Sequence, residues 1–162
     1  TVEIERRTLD RDGTAAQIKK WFTDGTSQMR ARNLLQYQST HNNVTSDILP
    51  VQSILLGDVL ISILPGEIYN AYGKYIKENS PYKRNMIAEN CNEYCGYIPT
   101  MKAFDEKTDL YETSLCCHSC HVPQAGTILS DKVLELAKKY NVIIHVKALY
   151  KEISTGTIVE NK

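Results

Sequence analysis

The sequence lacks any long apolar segment. None of its hydrophobic runs approaches the roughly 18 residues that a membrane-spanning helix needs. The opening residues Thr1–Arg7 alternate apolar and charged side chains, whereas a signal peptide has a basic stretch followed by an apolar one. We therefore predict no transmembrane segment.

An excess of charge of either sign is also missing. The 19 Lys and Arg residues balance 19 Asp and Glu residues, which gives a formal net charge of zero at pH 7. A protein that binds nucleic acid by bulk electrostatic attraction usually carries a positive excess. We therefore predict no nucleic-acid partner.

Several common catalytic and nucleotide-binding motifs are missing as well. The chain contains neither the glycine pattern G-x-G-x-x-G nor the phosphate-binding loop G-x-x-x-x-G-K-[ST]. The nucleophile pattern G-x-S-x-G is also absent. These absences argue against dinucleotide-binding enzymes, P-loop phosphotransferases and hydrolases with a serine elbow.

The residues that are present favour one folded domain. The 162 residues are 42% hydrophobic, which is enough to bury a core. The five cysteines all lie between Cys91 and Cys120, and an odd number cannot be fully paired within one chain. We therefore do not expect a disulfide framework.

The hydrophobic periodicity predicts an α/β fold. Two strand-like runs, Ile48–Leu56 and Val59–Leu64, flank Gly57-Asp58, a pair that suits a two-residue hairpin turn. The second run is nearly all apolar, as in a strand covered on both faces. Helices are predicted over Glu67–Asn79 and from about Thr127 to Tyr140. We expect an α/β fold, a mixed sheet with helices packed on it.

Further elements are predicted on both sides of this region. Apolar residues at helical spacing predict two helices, or one kinked helix, from Thr14 to about Gln38, with Trp21 and Phe22 in the core. The polar segment His41–Asp47 is typical of a surface loop. Shorter strands are predicted at Thr1–Leu9, Asn85–Asn90, Val142–Leu149 and Ile158-Val159.

Glu67 follows the strand-breaking pair Pro65-Gly66 at the end of an apolar run. In the first turn of a helix, its carboxylate would be stabilised by the helix dipole. The local pattern favours helix initiation as the role of Glu67. Cation binding is the alternative, because sites often lie at the ends of central strands.

Three blocks of the sequence resemble a known family. Val51–Glu67, Asn92–Thr100 and Tyr111-Glu112 are similar, in order and spacing, to the C-terminal part of the catalytic domain of neutral/alkaline (non-lysosomal) ceramidases. The resemblance covers about Gln52 to Tyr140. It implies that residues 1–140 are the C-terminal portion of a ceramidase-like catalytic domain. Residues 141–162 would then be a C-terminal strand or hairpin extension.

The resemblance implies a zinc-dependent amidohydrolase that cleaves the N-acyl bond of ceramide or a related N-acyl lipid. In that family two histidines, the glutamate of the L-P-G-E block and the second tyrosine of the Y-x-x-Y block bind the metal. Carried over to this sequence, the last two ligands are Glu67 and Tyr97. Zinc accepts such oxygen ligands and lowers the pKa of a water molecule, so hydroxide is available near neutral pH.

Tyr94 and Tyr111 are the candidate catalytic residues. They would orient the site or contact the substrate headgroup, as partners of metal ligands often do. Packing beneath the loop is the alternative role for both side chains.

The family's histidine ligands and its serine belong to preceding sequence. By this resemblance, the chain supplies half of the zinc site, and the remaining N-terminal part of the catalytic domain completes it. We expect no amidase activity from these residues alone. Together with Tyr97, the resemblance favours a ligand role for Glu67 over helix initiation.

A second group of metal-ligand types occurs in the cysteine-rich segment. This alternative metal cluster consists of Cys117, His118, Cys120 and His121. A structural zinc site usually takes ligands from two separated pairs, and here only Cys91 and Cys95 could supply the second pair. A loop with free thiols is therefore favoured over a structural zinc site. The alternative function is a non-catalytic binding or interaction module that uses this cluster or an exposed apolar face to bind a partner.

Overall fold

The computed structural model describes residues 1–8, 15–16, 18–20, 28–41, 44–105, 110–139, 144–146 and 157–159. The strands are β1 (Val2–Glu5), β2 (Ser46–Leu49), β3 (Gln52–Leu56), β4 (Val59–Ile63), β5 (Glu67–Ile68), β6 (Arg84–Ala88), β7 (Tyr97–Ile98), β8 (Ile144–Val146) and β9 (Thr157–Val159). The helices are α1 (Gln28–His41), α2 (Asn70–Asn79), α3 (Met101–Asp105) and α4 (Ala125–Lys139), with a 3-10 turn at Tyr111–Thr113.

The central sheet has the order β3-β4-β6. Strand β4 pairs antiparallel with β3 and parallel with β6, so the sheet is mixed, as predicted. The turn between β3 and β4 is Gly57-Asp58, and Gly57 has the positive φ of 63° that such a turn favours. The predicted hairpin is therefore confirmed.

Strand β4 was predicted to be covered on both faces, but only one of its faces is fully buried. Leu60 and Ser62 are almost completely buried on one face. Val59, Ile61 and Ile63, on the other face, are half-buried. Their neighbours on the flanking strands, Leu56 and Met86, are exposed, so this second face is partly open to solvent and the prediction of cover on both faces was wrong.

Helices α2 and α4 pack against each other, and α4 also covers β3. The Ser53 hydroxyl donates a 3.0 Å hydrogen bond to the Val133 carbonyl and joins β3 to α4. The main core contains side chains from both helices and from strands of several sheets. Its buried members include Ile4, Leu49, Leu64, Ile68, Tyr72, Ile76, Ile98, Leu129 and Val133. The predicted α/β fold, a mixed sheet with helices packed on it, is confirmed.

The predicted run Ile48–Leu56 is divided between two sheets. Strand β2 pairs antiparallel with β1, and β3 pairs with β4. Pro50 lies between them and has no backbone N–H to donate to a ladder. The prediction of one continuous strand was wrong for this reason. Ser46 and Asp47, which were predicted in a surface loop, belong to β2.

Glu67 lies in a strand, so its prediction as a first-turn helix residue was wrong. Strand β5 pairs parallel with β7, and α2 begins at Asn70. The Glu67 amide donates a 2.9 Å hydrogen bond to the Gly96 carbonyl, and the Tyr69 amide donates to Ile98 at 3.2 Å. These bonds to a distant segment satisfy the backbone that a helix would otherwise have engaged.

The remaining predicted elements are found where the structure describes them. The predicted strand at Asn85–Asn90 corresponds to β6, and α4 matches the predicted C-terminal helix. Strands β8 and β9 pair antiparallel. Residues 15–16 and 18–20 are helical, whereas Trp21 and Phe22 lie outside the described residues. In the part of the chain that the structure covers, no helix is both long and apolar enough to span a bilayer.

Candidate functional site

The parallel pair of strands β5 and β7 places Glu67 directly beside Tyr97. The turn before Tyr97 depends on Gly96, which has a φ of 82°. A Cβ atom at this position would collide with the backbone of His118, so only glycine fits the close approach. The Tyr97 amide also donates a 2.8 Å hydrogen bond to the His118 carbonyl, which fixes the strand position.

Tyr94 reaches Glu67 from the segment just before β7. Its hydroxyl donates a 2.9 Å hydrogen bond to Glu67 Oε1. Desolvation of the phenol, this hydrogen bond and the negative charge of Glu67 raise the pKa of Tyr94 to about 12. The neutral phenol is thus held as a donor to the carboxylate.

Tyr111 joins the same group through Tyr97. The two rings meet edge to face, with centroids 5.6 Å apart and an angle of 78° between their planes. Desolvation and then the charge of Glu67 raise the pKa of Tyr97 above its ordinary value. Without a cation nearby, the Tyr97 phenol is therefore protonated at neutral pH.

The structure thus brings together the residues that the sequence nominated in three separate blocks. We call Glu67, Tyr94, Tyr97 and Tyr111 the carboxylate–tyrosine cluster. Glu67 and Tyr97 offer two adjacent oxygen ligands, which is half of the four that zinc takes in proteins. Among the described residues, no group of three His, Cys, Asp or Glu ligands includes Glu67. The cluster therefore supplies two neighbouring side chains with oxygen atoms of a type that zinc can bind.

The alternative metal cluster is divided by a tight hairpin. Cys116 and Ser119 exchange two backbone hydrogen bonds of 3.1 Å, which leaves Cys117 and His118 at the tip. His118 is exposed, and its ring lies 6.4 Å from that of Tyr94. Cys120 and His121 follow in the second arm of the hairpin and are buried.

His121 is paired with a residue that sequence reasoning missed. Its Nε2 atom lies 2.9 Å from Asp47 Oδ2 in β2. Arg6, next to β1, donates from Nε and a terminal nitrogen to the two Asp47 oxygens at 2.7 and 2.6 Å. Because the partners come from distant segments, no local sequence pattern identifies Asp47 or Arg6 as part of the site.

Burial changes the protonation of the groups in this second cluster. Desolvation raises the pKa of Cys120 to about 11, so the free thiol is neutral. Burial also lowers the pKa of His121 and outweighs the opposing effect of Asp47. One ligand atom each from Asp47, Cys120 and His121 lies within 4.8 Å of the others, which is compact enough for a metal ion.

Comparisons with known proteins add no identification. No family model matches the chain, and no curated protein is significantly similar to it.

Proposed function

We propose that this chain is part of a ceramidase-like, zinc-dependent amidohydrolase and supplies Glu67 and Tyr97 to its metal site. The observation that supports the proposal most directly is the register of β5 and β7, which makes Glu67 the direct neighbour of Tyr97. The sequence motifs nominated both residues without reference to their distance in space. The remaining ligands and the rest of the catalytic domain would come from residues outside the described cluster.

The chemistry of the two oxygens suits this role. Zinc bound there would act as a Lewis acid toward an amide carbonyl and lower the pKa of a water molecule. Glu67 supplies a negative charge, and Tyr97 supplies a phenol that a cation would convert to phenolate. The free pair keeps the proton on Tyr97, so metal binding at this site releases a proton.

The flanking tyrosines would position the ligands and the substrate. Tyr94 donates to Glu67 Oε1 and so fixes one carboxylate oxygen, which leaves the other available. The Tyr111 ring packs against the Tyr97 ring and limits its rotation. Both side chains are exposed enough to contact a bound ceramide or other N-acyl lipid near its headgroup.

Tyrosinate absorption tests the ligand role directly. Zinc added near neutral pH to the natural polypeptide that carries these residues and the remaining ligands should produce the near-ultraviolet difference band of an ionised tyrosine. Tyr97→Phe should abolish the band and Glu67→Gln should weaken it, whereas the matched controls Tyr82→Phe and Glu78→Gln should leave it intact. A missing band in the unmodified natural polypeptide, or a full band in its Tyr97→Phe variant, would contradict the proposal.

Ceramide hydrolysis tests the reaction itself. In the natural polypeptide that carries these residues, Glu67→Gln is expected to reduce kcat/KM by more than about 100-fold. Loss of a residue that only hydrogen-bonds to a metal ligand usually costs about 10–100-fold, so the larger effect would indicate loss of a ligand itself. Tyr111→Phe should act mainly on KM. Unchanged hydrolysis in Glu67→Gln would exclude the proposed catalytic role.

The second candidate function is a non-catalytic binding module, and one observation favours it. The buried group Asp47, Cys120 and His121 is compact enough to hold a metal without Glu67 or Tyr97. In that case the chain would bind metal and lack the tyrosinate band. The two candidate functions therefore differ in a spectrum that the same sample provides.

A further inference from the structure

Cys120, His121 and Asp47 line one cavity of about 190 Å³. Cys120 Sγ lies 3.8 Å from His121 Nδ1, and His121 Nε2 lies 2.9 Å from Asp47 Oδ2. A thiol, an imidazole and a carboxylate therefore follow one another within hydrogen-bond reach. Cysteine-dependent acyl transfer uses the same order of nucleophile, base and orienting group.

We propose that Cys120, His121 and Asp47 form a thiol-dependent acyl-transfer site, which takes a short acyl group from an activated ester or thioester. The site is separate from Glu67 and Tyr97 and does not depend on the proposed amidase function. The second candidate function uses the same three residues as metal ligands. The two uses exclude each other, because a bound metal would occupy the sulfur and the ring nitrogen that the acyl transfer needs.

The protons of the group are placed for this chemistry. Burial opposes it, but hydrogen bonds from Arg6 and His121 hold the pKa of Asp47 below its ordinary value. The ionised Asp47 carboxylate therefore accepts the proton of His121 Nε2. Burial lowers the pKa of His121, so the neutral ring carries only that proton. Nδ1 is left with a free electron pair, to which the Cys120 thiol donates.

Backbone pairing holds the nucleophile and the base in place. His121 forms an antiparallel bridge with Arg6, just after β1, and the Arg7 amide donates a 2.7 Å hydrogen bond to the Cys120 carbonyl. Asp47 lies in β2, which pairs with β1. The three side chains are therefore carried by paired extended segments, which limits the movement of one relative to another.

Acyl transfer at this site balances without an oxidant or a reductant. Cys120 Sγ attacks the acyl carbonyl carbon and forms the S–C bond, while the thiol proton passes to His121 Nδ1. The bond from the carbonyl carbon to the leaving oxygen or sulfur breaks, and the leaving group takes that proton. Water then attacks the thioester, returns a proton to the Cys120 sulfur through His121 and releases the carboxylic acid. Asp47 stabilises the imidazolium that forms in both steps.

The cavity determines which acyl groups fit. Its volume of about 190 Å³ corresponds to about six water molecules, which suits a short acyl chain. The positively charged Arg6 also lines the cavity, and its charge opposes the effect of burial on the pKa of Cys120. The same charge would stabilise the negative charge that develops on the carbonyl oxygen during attack.

Burial makes the role of His121 testable. Desolvation raises the pKa of Cys120 to about 11, so the thiol by itself is a poor nucleophile near neutral pH. Cys95 lines the same cavity, and desolvation raises its pKa to about 12. The Cys95 sulfur donates to the Pro65 carbonyl at 2.6 Å and not to a histidine. Cys95 is therefore a matched thiol without a base.

Acetylation by p-nitrophenyl acetate is the decisive experiment. The reduced 162-residue chain is treated near neutral pH with EDTA present, and mass spectrometry identifies the acetylated cysteine. Cys120 should react at least about 10-fold faster than Cys95 and the partly exposed Cys91. In urea this preference should disappear, because the contact with His121 is lost. Equal rates in the folded chain, or a faster reaction of Cys91, would overturn the proposal.

Two histidine variants separate the base from its surroundings. His121→Ala should slow the acetylation of Cys120 by about 100-fold or more, and added imidazole should restore part of the rate. His118→Ala, at the exposed hairpin tip, is the matched control and should leave the rate unchanged. An unchanged rate in His121→Ala would overturn the proposal. Because EDTA removes metal ions and Glu67→Gln should not alter the rate, the result is independent of both zinc binding and the proposed amidase function.

Discussion

The Tyr94 hydroxyl donates a 2.9 Å hydrogen bond to Glu67 Oε1, and this bond links two segments that the sequence motifs nominated separately. Tyr94 precedes β7, while Glu67 opens β5. The bond fixes the position of one carboxylate oxygen of the proposed ligand Glu67 and ties the segment before β7 to β5. It also has a measurable consequence in the metal-free chain.

We predict that Glu67→Gln lowers the pKa of Tyr94 from about 12 toward its ordinary value of 10. A raised phenol pKa means that the folded state favours the protonated tyrosine. Its contribution to stability is therefore present below pH 10 and is lost as the pH rises toward 12. Spectrophotometric titration with EDTA present measures the shift. An equal shift in the control Glu78→Gln would argue against the Glu67 bond as its source.

We predict that Gly96→Ala lowers the free energy of unfolding by about 2 kcal/mol or more. The residue has a φ of 82°, and an added Cβ would meet the His118 backbone. Gly73→Ala in α2 is the matched control, because its Cβ would make only an ordinary 3.8 Å contact with Ile87. The control should gain about 0.5–1 kcal/mol from helix propensity. Urea unfolding distinguishes the two, and equal effects would contradict the close approach at Gly96.

We predict that Ser62→Ala raises the free energy of unfolding by about 1 kcal/mol. The Ser62 hydroxyl is fully buried in β4 and has no hydrogen-bond partner among the described residues. Ser130 is equally buried, but its hydroxyl donates to the Gly126 carbonyl at 2.7 Å. Ser130→Ala should therefore lower the free energy by about 0.5–1 kcal/mol. Thermal or chemical unfolding measures both variants. If the two substitutions changed the free energy of unfolding in the same direction, the unpaired state of the Ser62 hydroxyl would be refuted.

We predict that Asp47→Asn destabilises the metal-free chain by about 3 kcal/mol, because it leaves Arg6 without its charged partner. The side chain of Arg6 is only 13% exposed. The matched control is Asp58→Asn, whose ion pair with Arg84 is about 70% exposed on both sides and should be worth less than about 1 kcal/mol. Chemical denaturation at neutral pH compares the two variants, and a similar loss in both would contradict the prediction.

The same pair predicts a dependence on acid. Burial by itself would raise the pKa of Asp47, but hydrogen bonds from Arg6 and His121 outweigh it and hold the pKa below 3.8. A lowered carboxyl pKa contributes stability above pH 3.8, and this contribution is lost as the pH falls through the lower folded value. Asp47→Asn should reduce the acid sensitivity of unfolding. An unaltered pH profile would show that another carboxylate dominates.

The sequence by itself determined the local elements and the candidate ligands of the first site. Gly57-Asp58 defined the hairpin, the apolar run defined β4, and helical periodicity defined α2 and α4, because each signal depends on neighbouring residues. The motif blocks also nominated Glu67, Tyr94, Tyr97 and Tyr111, which the fold gathers into one cluster. Their roles in catalysis stay predictions.

Only the tertiary structure decided which distant segments meet. Glu67 lies in a strand and not in the predicted helix, because its amide donates a hydrogen bond to the Gly96 carbonyl. Pro50 divides one predicted strand between two sheets. Asp47 was predicted in a loop, whereas the pairing of β2 with β1 places it beside Arg6 and His121. Cys95 and Cys120 share a cavity for the same reason. Hydrogen bonds and ion pairs between residues far apart in the chain leave no periodic trace in the sequence, so these contacts emerge only when the chain is folded.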